Sequence, residues 1–345
     1  MLRFFTLSKK NGRIGKKLKI LKKCILVYKR RMSSKLEYAW MKLKDCIALG
    51  AVCAGVVCME SIREQWNFNV TKYQICTSKI NPHMKPKRMI FLSDLHNHEY
   101  GQNNIRLLQA VKAVCPDLIL IGGDMLVGKR GRSAKAALQF VSQLPKITPV
   151  YYANGNHEQR MKENPEKYER VYERYREILQ NAGVHFLEND SLELHLEGFH
   201  VRLTGLELPM ETYEKFKHSH VRKEDIVLQV GEVRKEMLDS AEEEESVYEI
   251  LLAHNPTYYS AYKEWGADLV LSGHLHGGIA RIPGWRGVIT PQAFLFPKYS
   301  GEMTEEDGQT IIVSKGLGTH TINFRLFNIP EMVVLEFIGN TYMGD

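Results

Sequence analysis

Short apolar runs separated by amphipathic stretches organise the chain from about residue 69 onward. Met89-Ile-Phe-Leu92, Leu118-Ile-Leu-Ile121, Val150-Tyr-Tyr152, Ile250-Leu-Leu252 and Leu269-Val-Leu271 are continuous and rich in branched or aromatic side chains. Runs of that length predict buried strands. Amphipathic stretches near 103–115, 133–144 and 165–181 lie between several of them, each long enough for a helix. Residues 184–206 keep a different rhythm: Leu192, Leu194 and Leu196 alternate with polar residues, Glu197-Gly198 offers a turn, and Val201 and Leu203 follow. That is the pattern of a β-hairpin. Two further strand-like runs lie near 310–314 and 332–337. Strands alternating with helices predict an α/β fold. The expectation is a four-layer α/β/β/α sandwich of two packed mixed sheets flanked by helices, with residues 86–345 as one domain and 61–85 as linker and first strand.

Two stretches depart from this rhythm. Residues 207–247 form a polar insertion ending in Glu242-Glu-Glu-Glu245, which reads as a solvated face, with His218 and His220 as surface histidines. Near the other end, Cys46 to Met59 runs fourteen residues without a charge. As a helix it reaches about 21 Å, short of a hydrocarbon core about 30 Å thick. It reads as a short anchor or the apolar region of an export signal, at residues 45–60. Tilt and the reach of Lys42 and Lys44 lengthen its effective span, and Trp40 and Trp66 flank it as interface anchors do.

Charge sharpens that reading. Residues 1–44 hold 15 Lys and Arg and one acid, Glu37, so this basic arm carries +14 of a total of +7, and the remainder about −7. The basic arm suits anionic lipid or nucleic acid, and if the apolar segment spans a bilayer the positive-inside rule places residues 1–44 in the cytoplasm and residues 60–345 outside, an extracytoplasmic domain on a membrane-associated segment. A mildly acidic body disfavours nucleic acid as a partner. Met32 and Met41 are alternative starts. Of six cysteines, Cys46, Cys53 and Cys58 lie in the apolar stretch and Cys24, Cys76 and Cys115 are scattered; with no CxxC pair they form neither a disulfide framework nor a metal pair and read as small apolar side chains. A hydrophobic fraction of 44% with 25% charged residues is enough for a sizeable core.

The chemistry lies where the five runs end. They are followed by Ser93-Asp94-Leu95-His96, Gly122-Gly123-Asp124, Asn154-Gly155-Asn156-His157-Glu158, His254-Asn255-Pro256 and Gly273-His274-Leu275-His276-Gly277-Gly278. Loops leaving the carboxyl ends of strands are where α/β sheets place ligands. Carboxylate oxygen with neutral imidazole nitrogen suits borderline first-row cations such as Mn²⁺, Fe²⁺ or Zn²⁺. A carboxylate has two oxygens and can bridge two ions, and glycine lets the backbone approach them closely.

The five motifs together resemble those of the calcineurin-like metallophosphoesterase superfamily, with all five intact over roughly residues 70–340. Leu92 to Asn97, Leu252 to Pro256, Gly273 to Gly278 and Thr290-Pro-Gln292 are similar to a bacterial, membrane-attached or exported branch. The resemblance implies one divalent ion held by Asp94, His96 and His276, a second by Asn156, His254 and His274, and Asp124 bridging. It implies that His157 faces the substrate. Two cations beside one phosphate neutralise its charge and acidify a shared water, which attacks phosphorus in line while His157 serves the leaving group. The substrate is a phosphate ester: a phosphodiester, a phosphomonoester, or a lipid- or nucleotide-linked pyrophosphate. A metal-stabilised binding module without turnover is the reading from another class, and an intact His157 argues against it. Trp285, Phe294, Phe296 and Tyr299 in the 281–301 loop either wall the pocket or belong to the core.

Overall fold

A computed structural model describes residues 5–217, 219–233, 246–278, 280–282, 286–290, 294–319 and 323–340. His218, the Glu242–Glu245 run, Trp285 and part of the Thr290–Gln292 match lie outside the described residues. The first element is a single helix, α1 (Phe5–Gln65). Its sequence has no proline and is dense in Lys, Arg, Leu and Ala, the residues that lose least on entering a helix. The basic arm and the apolar segment thus share one helix, which the apolar pattern alone did not reveal. The chain divides into two compact units, Met1–Met59 and Glu60–Asp345, so the last turn of α1 belongs to the second.

In the second unit the helices are α2 (Ile105–Val114), α3 (Lys135–Val141), α4 (Asn156–Glu163), α5 (Val171–Asn181), α6 (Lys223–Val230) and α7 (Tyr259–Trp265). The strands, in chain order, are β1 (Asn69–Thr77), β2 (Lys87–Leu92), β3 (Leu118–Ile121), β4 (Val150–Ala153), β5 (Val184–Leu187) and β6 (Asp190–Leu196). They continue as β7 (Phe199–Leu206), β8 (Tyr248–Ala253), β9 (Leu269–Ser272), β10 (Met303–Glu306), β11 (Gln309–Val313) and β12 (Glu331–Gly339). The described residues form two six-stranded sheets, ordered β1-β12-β2-β3-β4-β5 and β10-β11-β9-β8-β7-β6. Both are mixed: β2 to β5 and β7 to β9 run parallel, while β12 pairs antiparallel with β2 and β6 with β7. The β6–β7 hairpin turns at Glu197-Gly198, as the alternation requires.

Alternation along the strands divides the core into layers. On β2, Met89 and Phe91 point into the cluster between the sheets, with Leu203, Ile250, Leu271 and Phe337 from the other strands. Ile90 and Leu92 point the other way, against Leu107, Val111, Phe140 and Tyr175 of the helices. Beyond the second sheet, Leu251, Val270 and Ile311 meet Ile226, Tyr259 and Trp265 of α6 and α7. The result is the α/β/β/α sandwich. Each fully buried Leu, Ile or Phe contributes about 1.5–3 kcal/mol, so these layers supply the rigidity on which the strand-end loops rest.

Candidate metal centre

The five motifs converge at one edge of the sandwich. Asp94 and His96 follow β2, Asp124 follows β3, Asn156 and His157 open α4 after β4, His254 follows β8, and His274 and His276 follow β9. All eight are buried. Backbone bonds stitch the loops together: the Asp94 and His96 N–H groups donate to the carbonyls of Gly123 and Asp124, and the Gly273 N–H donates to His254. The two sheets meet here directly, because the His274 N–H donates to the Asp94 carboxylate at 3.1 Å.

Close approach explains two glycines. A Cβ at Gly273 would sit 2.3 Å from Asp94 Oδ2, and one at Gly155 would sit 2.3 Å from Asp124 Oδ1. The same crowding bends the chain. Asp94, His96, Asp124, His274 and His276 all take left-handed backbone, with φ between 47° and 66°. For side chains with a Cβ this costs about 1–2 kcal/mol each. Five such residues rival the whole net stability of a domain, so the strain persists only where the surroundings over-determine it.

The imidazoles are aimed by their second nitrogens. Nδ1 of His96, His254 and His276 lies 3.2, 2.6 and 3.1 Å from the carbonyl oxygens of Leu126, Gly122 and Gly318. A carbonyl only accepts, so each Nδ1 carries a proton, and each Nε2, once deprotonated, presents a lone pair inward. His96 Nε2 and His276 Nε2 stand 3.1 Å apart. Two lone pairs at that distance call for a positive charge between them. His157 is set the opposite way. Its Nδ1 accepts from the Gly128 N–H at 2.7 Å, so its Nε2 carries the proton, 3.9 Å from Asp124 Oδ2.

Among the described residues, three buried groups can hold a metal ion: Asp94, His96 and His276; Asp124, His254 and His274; and His96, Asp124 and His157, which joins the other two. Asn156 Oδ1 is buried with no hydrogen-bond partner, as an atom reserved for a cation would be. Burial pushes the Asp94 carboxyl up to about 6, aided by the charge of Asp124 and opposed by His254. Burial works on Asp124 in the same sense, yet His254, His157 and His96 together hold its carboxyl well below the usual range. His254 in turn is raised to about 10, because the Asp124 carboxylate 3.2 Å away outweighs its burial. The donor set therefore attracts positive charge strongly and suits divalent cations.

Sequence reasoning left two contributors without a role. Glu158 belongs to the Gly-Asn-His-Glu motif, but its task shows only in three dimensions: it accepts from the N–H groups of Asp124, Leu126 and Gly155 and from the Tyr152 hydroxyl. It fixes the Asp124 loop to the start of α4. Tyr213, in a short turn of the polar insertion, stands edge-on to His274 with ring centroids 5.1 Å apart. Nothing in the hydrophobic pattern marks it. Of the aromatic loop, Tyr299 belongs to the core, packed edge-on against Tyr259 and bonded to Glu306, while Phe296 is exposed. His220 is also exposed.

The chain is similar in sequence to known proteins. The sequence profile described as calcineurin-like phosphoesterase matches residues 87–278. The chain is 25% identical over 301 residues to phosphodiesterase YaeI of Escherichia coli (strain K12), covering 86% of this chain and 97% of that protein. It is 24% identical over 254 residues to the uncharacterized metallophosphoesterase YkoQ of Bacillus subtilis (strain 168), covering 73% and 83%. Among solved structures it is similar to a phosphopantetheinyl hydrolase, PptH, from Mycobacterium tuberculosis, at 15% identity and a TM-score of 0.39, covering 67% and 90%. With more than half of its length matched by that profile, the chain belongs to the calcineurin-like phosphoesterases, hydrolases of phosphoric esters.

Proposed function

We propose that the protein is a dinuclear-metal-dependent phosphodiesterase. The observation that carries the reading is the pairing of two buried ligand groups with a histidine of opposite tautomer beside them. Asp94, His96 and His276 would hold one ion; Asn156, His254 and His274 the other; Asp124 would serve both. Bound there, two divalent ions would neutralise phosphate charge and lower the pKa of water. His157 presents Nε2–H toward the same space, because the Gly128 N–H occupies its other nitrogen, so it donates to the leaving-group oxygen rather than binding metal. Glu158 keeps Asp124 and the first turn of α4 in register while the charges change. Diesters are placed first because the relative matched over 97% of its length is named a phosphodiesterase.

The test is to assay the purified full-length protein with added Mn²⁺ on an aryl phosphodiester, an aryl phosphomonoester and a nucleotide-sugar pyrophosphate. Metal-dependent diester cleavage, abolished by chelation, is the expected result. Preference for the monoester or the pyrophosphate would reassign the substrate class. Two bound ions with no hydrolysis of any of the three would end the catalytic reading.

A membrane location accompanies it. α1 contains one stretch, within Leu21–Gln65, long and apolar enough to cross a bilayer, and Ile47, Leu49, Val52 and Val56 on it are exposed. The basic residues before that stretch favour the cytoplasmic side, and Glu60–Asp345 would then lie outside.

A further inference from the structure

The turn Glu60–Gln65 does more than connect. Ser61 and Glu64 are 3% and 1% exposed, rare for a serine and a carboxylate at the end of a helix. Glu64 accepts from the Asn328 N–H at 3.0 Å, and Ser61 Oγ accepts from the Arg325 N–H at 3.1 Å. Arg325 and Asn328 are themselves buried, at 1% exposure each. Burying a guanidinium costs several kcal/mol unless its donors are used. The two terminal nitrogens of the Arg325 guanidinium donate to the backbone, to the carbonyls of Lys315, Gly316, Gly318 and Asn328 at 2.8, 3.2, 2.7 and 3.1 Å, while its Nε has no partner.

Those carbonyls belong to the loop that pins the metal ligands. The Leu317 and Gly318 N–H groups donate to the carbonyls of Ser93 and Asp94. The Gly318 carbonyl, drawn tight by Arg325, also receives His276 Nδ1 at 3.1 Å. From the other side, Asn328 Nδ2 donates to the His276 carbonyl at 2.6 Å. No room is left for slack: a Cβ at Gly277 would sit 2.1 Å from Asn328 Oδ1. His276 is thus held by ring and by backbone, and both bonds trace to the same helix turn. Asp94 and His276 are two of the residues in left-handed backbone, which needs this kind of over-determination.

We propose that Glu64 is a positioning residue for the metal centre, acting through Asn328 on His276, while Ser61 of the same turn holds Arg325. The proposal rests on the reading that Asp94, His96 and His276 hold an ion, and it concerns that ion alone. Partners that orient a ligating histidine typically contribute 10–100-fold in metal affinity.

The test titrates Mn²⁺ into the metal-depleted, detergent-solubilised full chain by calorimetry, with electron paramagnetic resonance reporting whether two ions are coupled. Glu64→Ala should weaken one of the two ions by about 10–100-fold and leave the other within a few-fold. Glu64→Gln, which keeps an oxygen for the Asn328 N–H, should restore most of the loss. Glu60→Ala, in the same turn but paired with Arg63 at the surface, should bind both ions as the parent does. Should Glu64→Ala fail to fold, Asn328→Ala set against Glu64→Gln makes the same comparison. Equal binding of both ions by Glu64→Ala and the parent would overturn the proposal, as would equal weakening of both sites. A parent that binds no ion pair would instead refute the underlying reading of the site.

Discussion

The left-handed backbone at Asp94, His96, Asp124, His274 and His276 is the sharpest signature of the site at the level of single residues. The motifs were legible in the sequence because each residue type follows an apolar run. The backbone strain was not, since no side-chain pattern announces a positive φ at aspartate or histidine. The tautomers were equally hidden. His157 and its neighbours are the same letter in a sequence, and only the Gly128 N–H against a backbone carbonyl shows which ring nitrogen carries the proton. Two predictions belong here. His157→Ala should keep its full complement of Mn²⁺ and lose about 10²–10⁴-fold in turnover, with the larger loss on poor leaving groups. Metal analysis beside a leaving-group series checks it. Asp124→Asn should lose metal as well as rate, so equal metal content in the two variants would contradict this division of roles. Gly273→Ala should displace the Asp94 carboxylate, whose Oδ2 lies 2.3 Å from where the new methyl would sit, and reduce metal stoichiometry while the fold survives by circular dichroism.

At the scale of elements, the five central strands appear where their apolar runs place them, and the β6–β7 hairpin turns at its Glu-Gly pair. Their adjacency in the sheets was not readable, since β12 enters between β1 and β2 from the far end of the chain. The helix α1 exceeded expectation although its basic arm is rich in good helix formers and Leu18, Leu21, Ile25, Tyr28 and Met32 recur at helical spacing, a stripe overshadowed by the density of charge. Charge inside elements also has consequences. Glu249 on β8 is buried, and burial, together with the nearby Asp268 and against the pull of Arg202, raises its carboxyl to about 7. A raised folded-state value means that its contribution is fully present below the ordinary carboxyl value of 4.5 and is lost as pH climbs through about 7. Comparing Glu249→Gln with the parent by urea denaturation from pH 4 to 8 should therefore show the variant gaining relative stability across that window. A pH-independent difference would place the proton elsewhere.

For the molecule as a whole, the sandwich brings residues 180 positions apart, such as Asp94 and His274, into one hydrogen bond. That convergence is what separate motifs on a line cannot display, and it turns five weak signals into a single site. The N-terminal helix supplies a separate, testable property. If its apolar stretch crosses a bilayer, Val52→Arg, at a position that is exposed along the helix, should release a large share of the protein from alkali-washed membranes, since a cation at mid-span costs about 2.5–3.5 kcal/mol. Sedimentation of membrane fractions reads this directly. Anomalous diffraction from crystals grown with excess Mn²⁺ would locate the metals. Two peaks about 3.5–4 Å apart with Asp124 between them are expected. One of them should lie beside Asp94, His96 and His276, the other beside Asn156, His254 and His274. A single peak, or a peak ligated by His157 Nε2, would contradict the proposed metal centre.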